Sequence, residues 1–221
     1  MNNLLFYSIF TAVIFILFLV ALKIFNKNAL FTVGIGSIIG ANIYNVGRYP
    51  IVIGNFVFGL DSIIYTLFVF CVLLMYIDYG KEAMKSLLYT SIASIFFTAI
   101  LAFAGSYSQS GLSSNLIWSS LSHLNSIVAT FFAIWAMIFV YDWLRKKKFN
   151  WYLTIVAVLL VACIINSLIY FGLTFIYMGS LGSAFLNSLS ASYIGKSIAT
   201  LICLLIFYAH TLWTRFYRKK K

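Results

Sequence analysis

The chain has little charge, little acid and almost no proline. Only 9% of its 221 residues are charged, against roughly a quarter in soluble proteins. A water-facing surface of ordinary polarity cannot be built from so few charged groups. Pro50 is the one proline, so long helical runs elsewhere meet no strong breaker. Four acidic residues and two histidines leave little material for acid–base work. There is no Ser-His-Asp arrangement, no HExxH and no phosphate-binding loop, so any use of ATP would need another subunit. The expectation is a protein that is not an enzyme and holds no cofactor and no metal. Cys71, Cys163 and Cys203 lie inside apolar runs without metal-ligand spacing. They read as small hydrophobes rather than disulfide or metal partners.

What the chain has instead is apolar bulk. It is 63% hydrophobic with 22 phenylalanines, and its mean hydropathy is +1.03. Soluble domains are about 45–50% apolar, so the excess must face lipid or other helices. A helix needs about 20 apolar residues to cross the hydrocarbon. Seven segments meet or approach that length: Leu4–Phe25, Leu30–Val46, Val57–Ile77, Ser86–Ala104, Leu124–Leu144, Trp151–Tyr177 and Ser192–Trp213. The second is the shortest and is glycine-rich. The reading is an all-α integral membrane protein, a single domain of about seven transmembrane helices. Met1–Val20 lacks a positive n-region and a small-x-small cleavage site, so it reads as a retained first helix.

The net charge of +11 sits in short links between apolar runs, the pattern of cytoplasmic loops. Nucleic acid is therefore not the expected partner; membrane lipid is. Lys23 and Lys27 follow the first segment, and Lys81 and Lys85 the third. Arg145–Lys148 follows the fifth, and Arg215, Arg218 and Lys219–Lys221 end the seventh. The alternate links 106–122 and 179–190 carry no Lys or Arg, and Arg48 is the exception. Seven crossings keep the alternation intact, with the N-terminus outside and the C-terminus in the cytoplasm. Trp118, Trp143, Trp151 and Trp213 fall near expected helix ends, where indole favours the headgroup level.

Polar residues inside lipid are costly and are functional candidates by default. Asn42 and Asn45 share a face of the second segment, after Gly34, Gly36 and Gly40. Gly36 and Gly40 form a small-xxx-small pair, which either packs helices closely or thins a wall beside a ligand cavity. Asp61 opens the third segment, Asn166 and Ser167 lie deep in the sixth, and Lys196 lies about one turn inside the outer end of the seventh. With Arg48, His123 and Asn125 these gather toward the outer leaflet. They line a shared polar pocket, or they are separate interface residues, with Lys196 snorkelling to the headgroups. The Arg145–Lys148 run is a topology anchor that also suits anionic lipid. Asp78-Tyr79-Gly80-Lys81 reads as a turn, and Glu82 and Lys85 can pair on the next helix.

With that turn the chain resembles the vitamin uptake transporter family, which includes bacterial queuosine-precursor transporters. The resemblance runs from about Gly40 to Trp213. It comprises Asn42, the Tyr79-Gly80-Lys81-x-Ala83 turn, His123-Leu124-Asn125 before a helix closing on Asp142, the basic link, the polar pair Asn166-Ser167, and Ser192-Tyr193-Ile194-Gly195-Lys196. The chain departs from the family at two usually acidic positions, which here are neutral: Leu73–Tyr76 before the turn, and Asn166-Ser167. The resemblance implies a six-helix transporter-like core at 28–214. A preceding helix at 1–27 and a basic tail at 215–221 would then be additions. It also implies a bacterial-type plasma membrane and a small-molecule ligand, a queuosine precursor or vitamin. Coupling subunits or a second copy of the chain would be partners. Asn42, Asn45, Asp61, Asn166, Ser167 and Lys196 would bind the ligand. The lost acids also fit a membrane sensor or partner-binding module that transports nothing.

Overall fold

The computed structural model describes residues 3–25, 27–47, 50–53, 56–59, 61–110, 114–177 and 183–218. In lipid a backbone must satisfy its own hydrogen bonds, which leaves helices as the spanning solution for such segments. The described residues form six helices and one hairpin. In order they are α1 (Asn3–Phe25), α2 (Lys27–Gly47), β1 (Pro50–Ile53), β2 (Phe56–Gly59), α3 (Asp61–Ser110), α4 (Ser114–Lys146), α5 (Trp151–Tyr177) and α6 (Ser183–Arg218). Five of the helices, all but α2, are long and apolar enough to cross a membrane. The chain is a multi-pass α-helical membrane protein.

Several boundaries differ from the sequence reading, three of them helix starts. Val57, expected to open a helix, lies in β2, which pairs antiparallel with β1 through Pro50↔Gly59 and Ile53↔Phe56; the helix starts at Asp61. The hairpin is also the one departure from an all-helical chain among the described residues. α4 starts at Ser114 rather than Leu124, and α6 at Ser183 rather than Ser192. Both extensions are rich in Ser and Asn, which weakened the apolar signal without preventing a helix.

α3 has non-helical dihedrals at Gly80, φ 83° and ψ −179°, a region open essentially to glycine alone. A Cβ placed on Gly34 of α2 would meet Leu87 Cδ1 at 3.0 Å and Cys71 Cβ at 3.5 Å. On a straight helix those two residues would stand roughly 24 Å apart. The chain therefore reverses at Gly80, and both halves of α3 lie against α2. The expected turn at Asp78–Lys81 is the place where this happens.

The first half of α3 is the centre of the bundle. Leu67 through Met75 is buried without a break, as expected of a helix surrounded on all sides. Phe70 meets Phe15 and Phe18 of α1 and Phe207 of α6 edge-on, with ring centroids 6.3, 6.1 and 5.2 Å away. Each such pair contributes about 0.5–1.5 kcal/mol beyond area burial, which matters where lipid removes the ordinary hydrophobic drive between helices. α1 is two-faced: Tyr7, Thr11, Phe15 and Phe18 are buried, while Leu5, Ile9, Val13, Leu17 and Ile24 are exposed, the side left for lipid. Hydroxyls in these helices fold back on the preceding turn. Thr11 donates to the Tyr7 carbonyl and Thr66 to that of Ser62, and Thr90, Ser94 and Thr98 repeat the pattern along the second half of α3. Such back-bonding satisfies the group without an outside partner.

The close approach in α2 is not at the expected pair: a Cβ on Gly34 would meet Leu87 at 3.0 Å, one on Gly40 would meet Ile64 at an ordinary 3.6 Å, and one on Gly36 would meet nothing within 4 Å. The basic link between α4 and α5 is a compact turn. Lys148 takes φ 55°. Its amide donates to the Arg145 carbonyl at 3.0 Å and the Phe149 amide to that of Leu144 at 3.1 Å, the double closure of a Schellman end. Asn150 then caps α5, its Oδ1 accepting from the amides of Tyr152 and Leu153 at 2.9 and 3.3 Å.

Candidate ligand-binding site

A cavity of about 400 Å³ lies among five helices. α2 contributes Ile38 and Ala41, α3 Asp61 and Tyr65, and α4 Ser126. α5 contributes Asn166 and Thr174 with the aromatic wall of Tyr170, Phe171 and Phe175, and α6 contributes Ser188, Ser192 and Lys196. The spacing explains the convergence. Asn166, Tyr170 and Thr174 recur every fourth residue of α5, and Ser188, Ser192 and Lys196 every fourth of α6, so each set forms one stripe.

The two stripes bond to each other. Lys196 is 5% exposed. Its Nζ donates to Asn166 Oδ1 at 2.6 Å and to Ser167 Oγ at 3.0 Å. The same Nζ stands 4.8 Å from the centroid of the Tyr65 ring, a cation–π position. Ser167 and Ser192 share a hydrogen bond of 3.1 Å, and one turn deeper Cys163 and Thr200 approach to 3.7 Å. Lys196 is therefore turned inward and does not snorkel. It lies 13 residues inside α6, not one turn, because the helix starts earlier.

The electrostatics are unusual. Taking an ammonium out of water costs several kcal/mol even after relaxation. Lys196 is met by an amide oxygen, a hydroxyl and a ring, all neutral. The ion pair within 4 Å among the described residues is Lys85–Glu82, elsewhere in the molecule. Asp61 feels the charge of Lys196 without touching it. Asp61 is the first residue of α3. A carboxylate there also suits the positive end of the helix.

Of the residues singled out in the sequence, Asp61, Asn166 and Lys196 line this one cavity, and Ser167 stands behind Lys196. Asn42 and Asn45 belong to the last turns of α2, and their side chains lie outside the described residues, as does Arg48 altogether. His123 is buried within α4 and does not line the cavity. Asn125 donates to Thr174 Oγ1 at 3.1 Å and so braces the cavity wall from α4. Ser122 shares a 2.7 Å hydrogen bond with Tyr170 from the same side. Tyr65, Ser126, Tyr170, Thr174, Ser188 and Ser192 were not foreseen. The four-residue spacing of the α5 and α6 stripes is the signal that would have found most of them.

α1 supplies no lining residue among those described, yet it touches the site from behind. The Tyr7 hydroxyl donates to the Gly195 carbonyl at 2.9 Å, next to Lys196. Among the described residues no three metal-ligating groups converge. Compared with known proteins, the chain matches no family model, no curated protein and no solved structure.

Proposed function

We propose that the chain is a small-molecule membrane transporter, or the substrate-capturing subunit of one, with the cavity among α2–α6 as its ligand site. One observation carries this reading: a buried lysine faces a cavity of about 400 Å³ inside a membrane bundle. Ligand pockets fall at roughly 300–1,000 Å³, and ionisable residues within membranes mark substrate paths. In this reading Asn166 and Lys196 hold the ligand and Ser167 sets Lys196.

The proposed topology has seven crossings. Two come from α3, because of the reversal at Gly80. α2 is the seventh, since its 21 residues span about 31 Å and α3 shields it. The basic segments cluster in support of this. Lys27 lies 5.6 Å from the Tyr79 ring, Tyr76 donates to Asp142 at 2.7 Å, and Tyr152 packs on Tyr208. Those contacts draw the links after α1 and α4, the Gly80 turn and the last turns of α6 toward one end. By the bias of Lys and Arg that end is cytoplasmic, and the N-terminus is outside.

The resemblance to the vitamin uptake transporter family makes queuosine precursors and vitamins the first substrates to try. Uptake of radiolabelled precursor in cells lacking their own transporter, with Lys196→Ala and Asn166→Ala alongside, is the test. Uptake above empty vector that both substitutions abolish supports the reading; uptake equal to vector rejects that substrate. The neutral residues at Leu73–Tyr76 and Asn166-Ser167, where that family is acidic, favour a second reading, a sensor or partner-binding module. Binding to purified protein without uptake selects it.

A further inference from the structure

We propose that the cavity takes a small zwitterion with an aromatic or other apolar body, its anionic end at Lys196 and its cationic end at Asp61. This rests on the reading that the cavity binds a small molecule, and it names the class. The amine of Lys196 and the carboxyl of Asp61 line the same cavity, and no ion pair within 4 Å joins them. Lys196 is held only by neutral partners. A ligand that displaces water from this space removes the last solvation of both groups. A neutral ligand leaves both charges unpaired. An anion faces Asp61, and a cation faces Lys196, at a cost that low polarity magnifies. A molecule carrying both charges at its two ends relieves each group with its opposite. The rest of the lining sets the body: Tyr170, Phe171 and Phe175 present aromatic surface, suited to a ring or a branched aliphatic chain.

The test uses the full chain in detergent with Ser188→Cys as a reporter in the cavity lining. Cys71, Cys163 and Cys203 are buried and serve as the unlabelled background. Labelling of the introduced thiol by a fluorescent maleimide is followed against L-phenylalanine and L-tryptophan. The comparison ligands are phenethylamine, which lacks the carboxylate, 3-phenylpropionate, which lacks the amine, and 7-deazaguanine, which is neutral. L-Phenylalanine or L-tryptophan is expected to protect at concentrations at least about tenfold below either single-charge analogue, a difference of roughly 1.4 kcal/mol. Adding Lys196→Met is expected to erase the advantage over phenethylamine, and Asp61→Asn the advantage over 3-phenylpropionate. Equal protection by the single-charge analogues overturns the proposal, and so does a preference that neither substitution moves. Protection by 7-deazaguanine alone overturns the zwitterion and leaves the ligand-cavity reading standing. A thiol at position 188 that never labels overturns both.

Discussion

The bundle holds its charge in opposite ways at its two ends. At the basic end Lys23, Lys27, Lys81 and Arg145–Lys148 are exposed, and the Lys85–Glu82 pair of 2.8 Å sits on the surface. Exposed pairs and runs of this kind contribute little to stability; their work is orientation. At the other end a single ammonium is enclosed and surrounded by neutral partners. One end tolerates substitution because water and headgroups solvate whatever is placed there. The other does not, because the Lys196 ammonium depends on its bonds to Asn166 and Ser167. Charge at the basic end is plural and exposed, whereas the amine of Lys196 at the cavity is buried.

Five substitutions break or sharpen that contrast. The largest effect is expected from Lys196→Met. Uptake of a transported ligand should fall at least about tenfold, while the thermal midpoint in detergent holds or rises, because an isosteric apolar chain avoids the cost of a buried charge. A collapse of the fold alongside activity would make Lys196 a structural strut. Gly80→Ala comes second. At φ 83° a Cβ is strained whatever the space around it, so a loss of about 1–3 kcal/mol is expected in reversible unfolding. An unchanged midpoint would mean that α3 does not reverse there. Tyr76→Phe removes the hydroxyl proton shared between the two Asp142 oxygens, at 2.7 and 2.9 Å, and should cost about 1.5–3 kcal/mol, as bonds to charged groups do. The smallest effect is a paired one in α2. Gly34→Ala meets Leu87 at 3.0 Å and should destabilise by about 1 kcal/mol through overpacking. Gly36→Ala, with nothing within 4 Å, should be stabilising by up to about 1 kcal/mol through helix propensity. Equal midpoints for the two would remove the case that α2 packs through Gly34.

The membrane class and most helix positions were legible because apolar length and Lys/Arg spacing are one-dimensional signals. The Gly80 turn was legible for the same reason, standing between two apolar runs with charges around it. Asn166, Ser167 and Lys196 stood out because polar residues are conspicuous in such runs. Tyr65, Tyr170 and Ser192 did not, since Tyr and Ser are common in membrane helices, and only the four-residue register marks them. The hairpin was lost for a different reason. Pro50–Ile53 and Phe56–Gly59 are apolar enough to merge with the helix that follows, and Gly54-Asn55 between them in the sequence was the overlooked turn signal. The start of α6 was misplaced because Ser183–Ala191 is polar, and Ser188 is polar because it lines the cavity.

The hydroxyl of Tyr7 on the Gly195 carbonyl gives α1 leverage it would lack as a mere outer helix. The carbonyl it grips belongs to the residue before Lys196, so α1 is tied by one hydrogen bond to the turn of α6 that carries the cavity's buried amine.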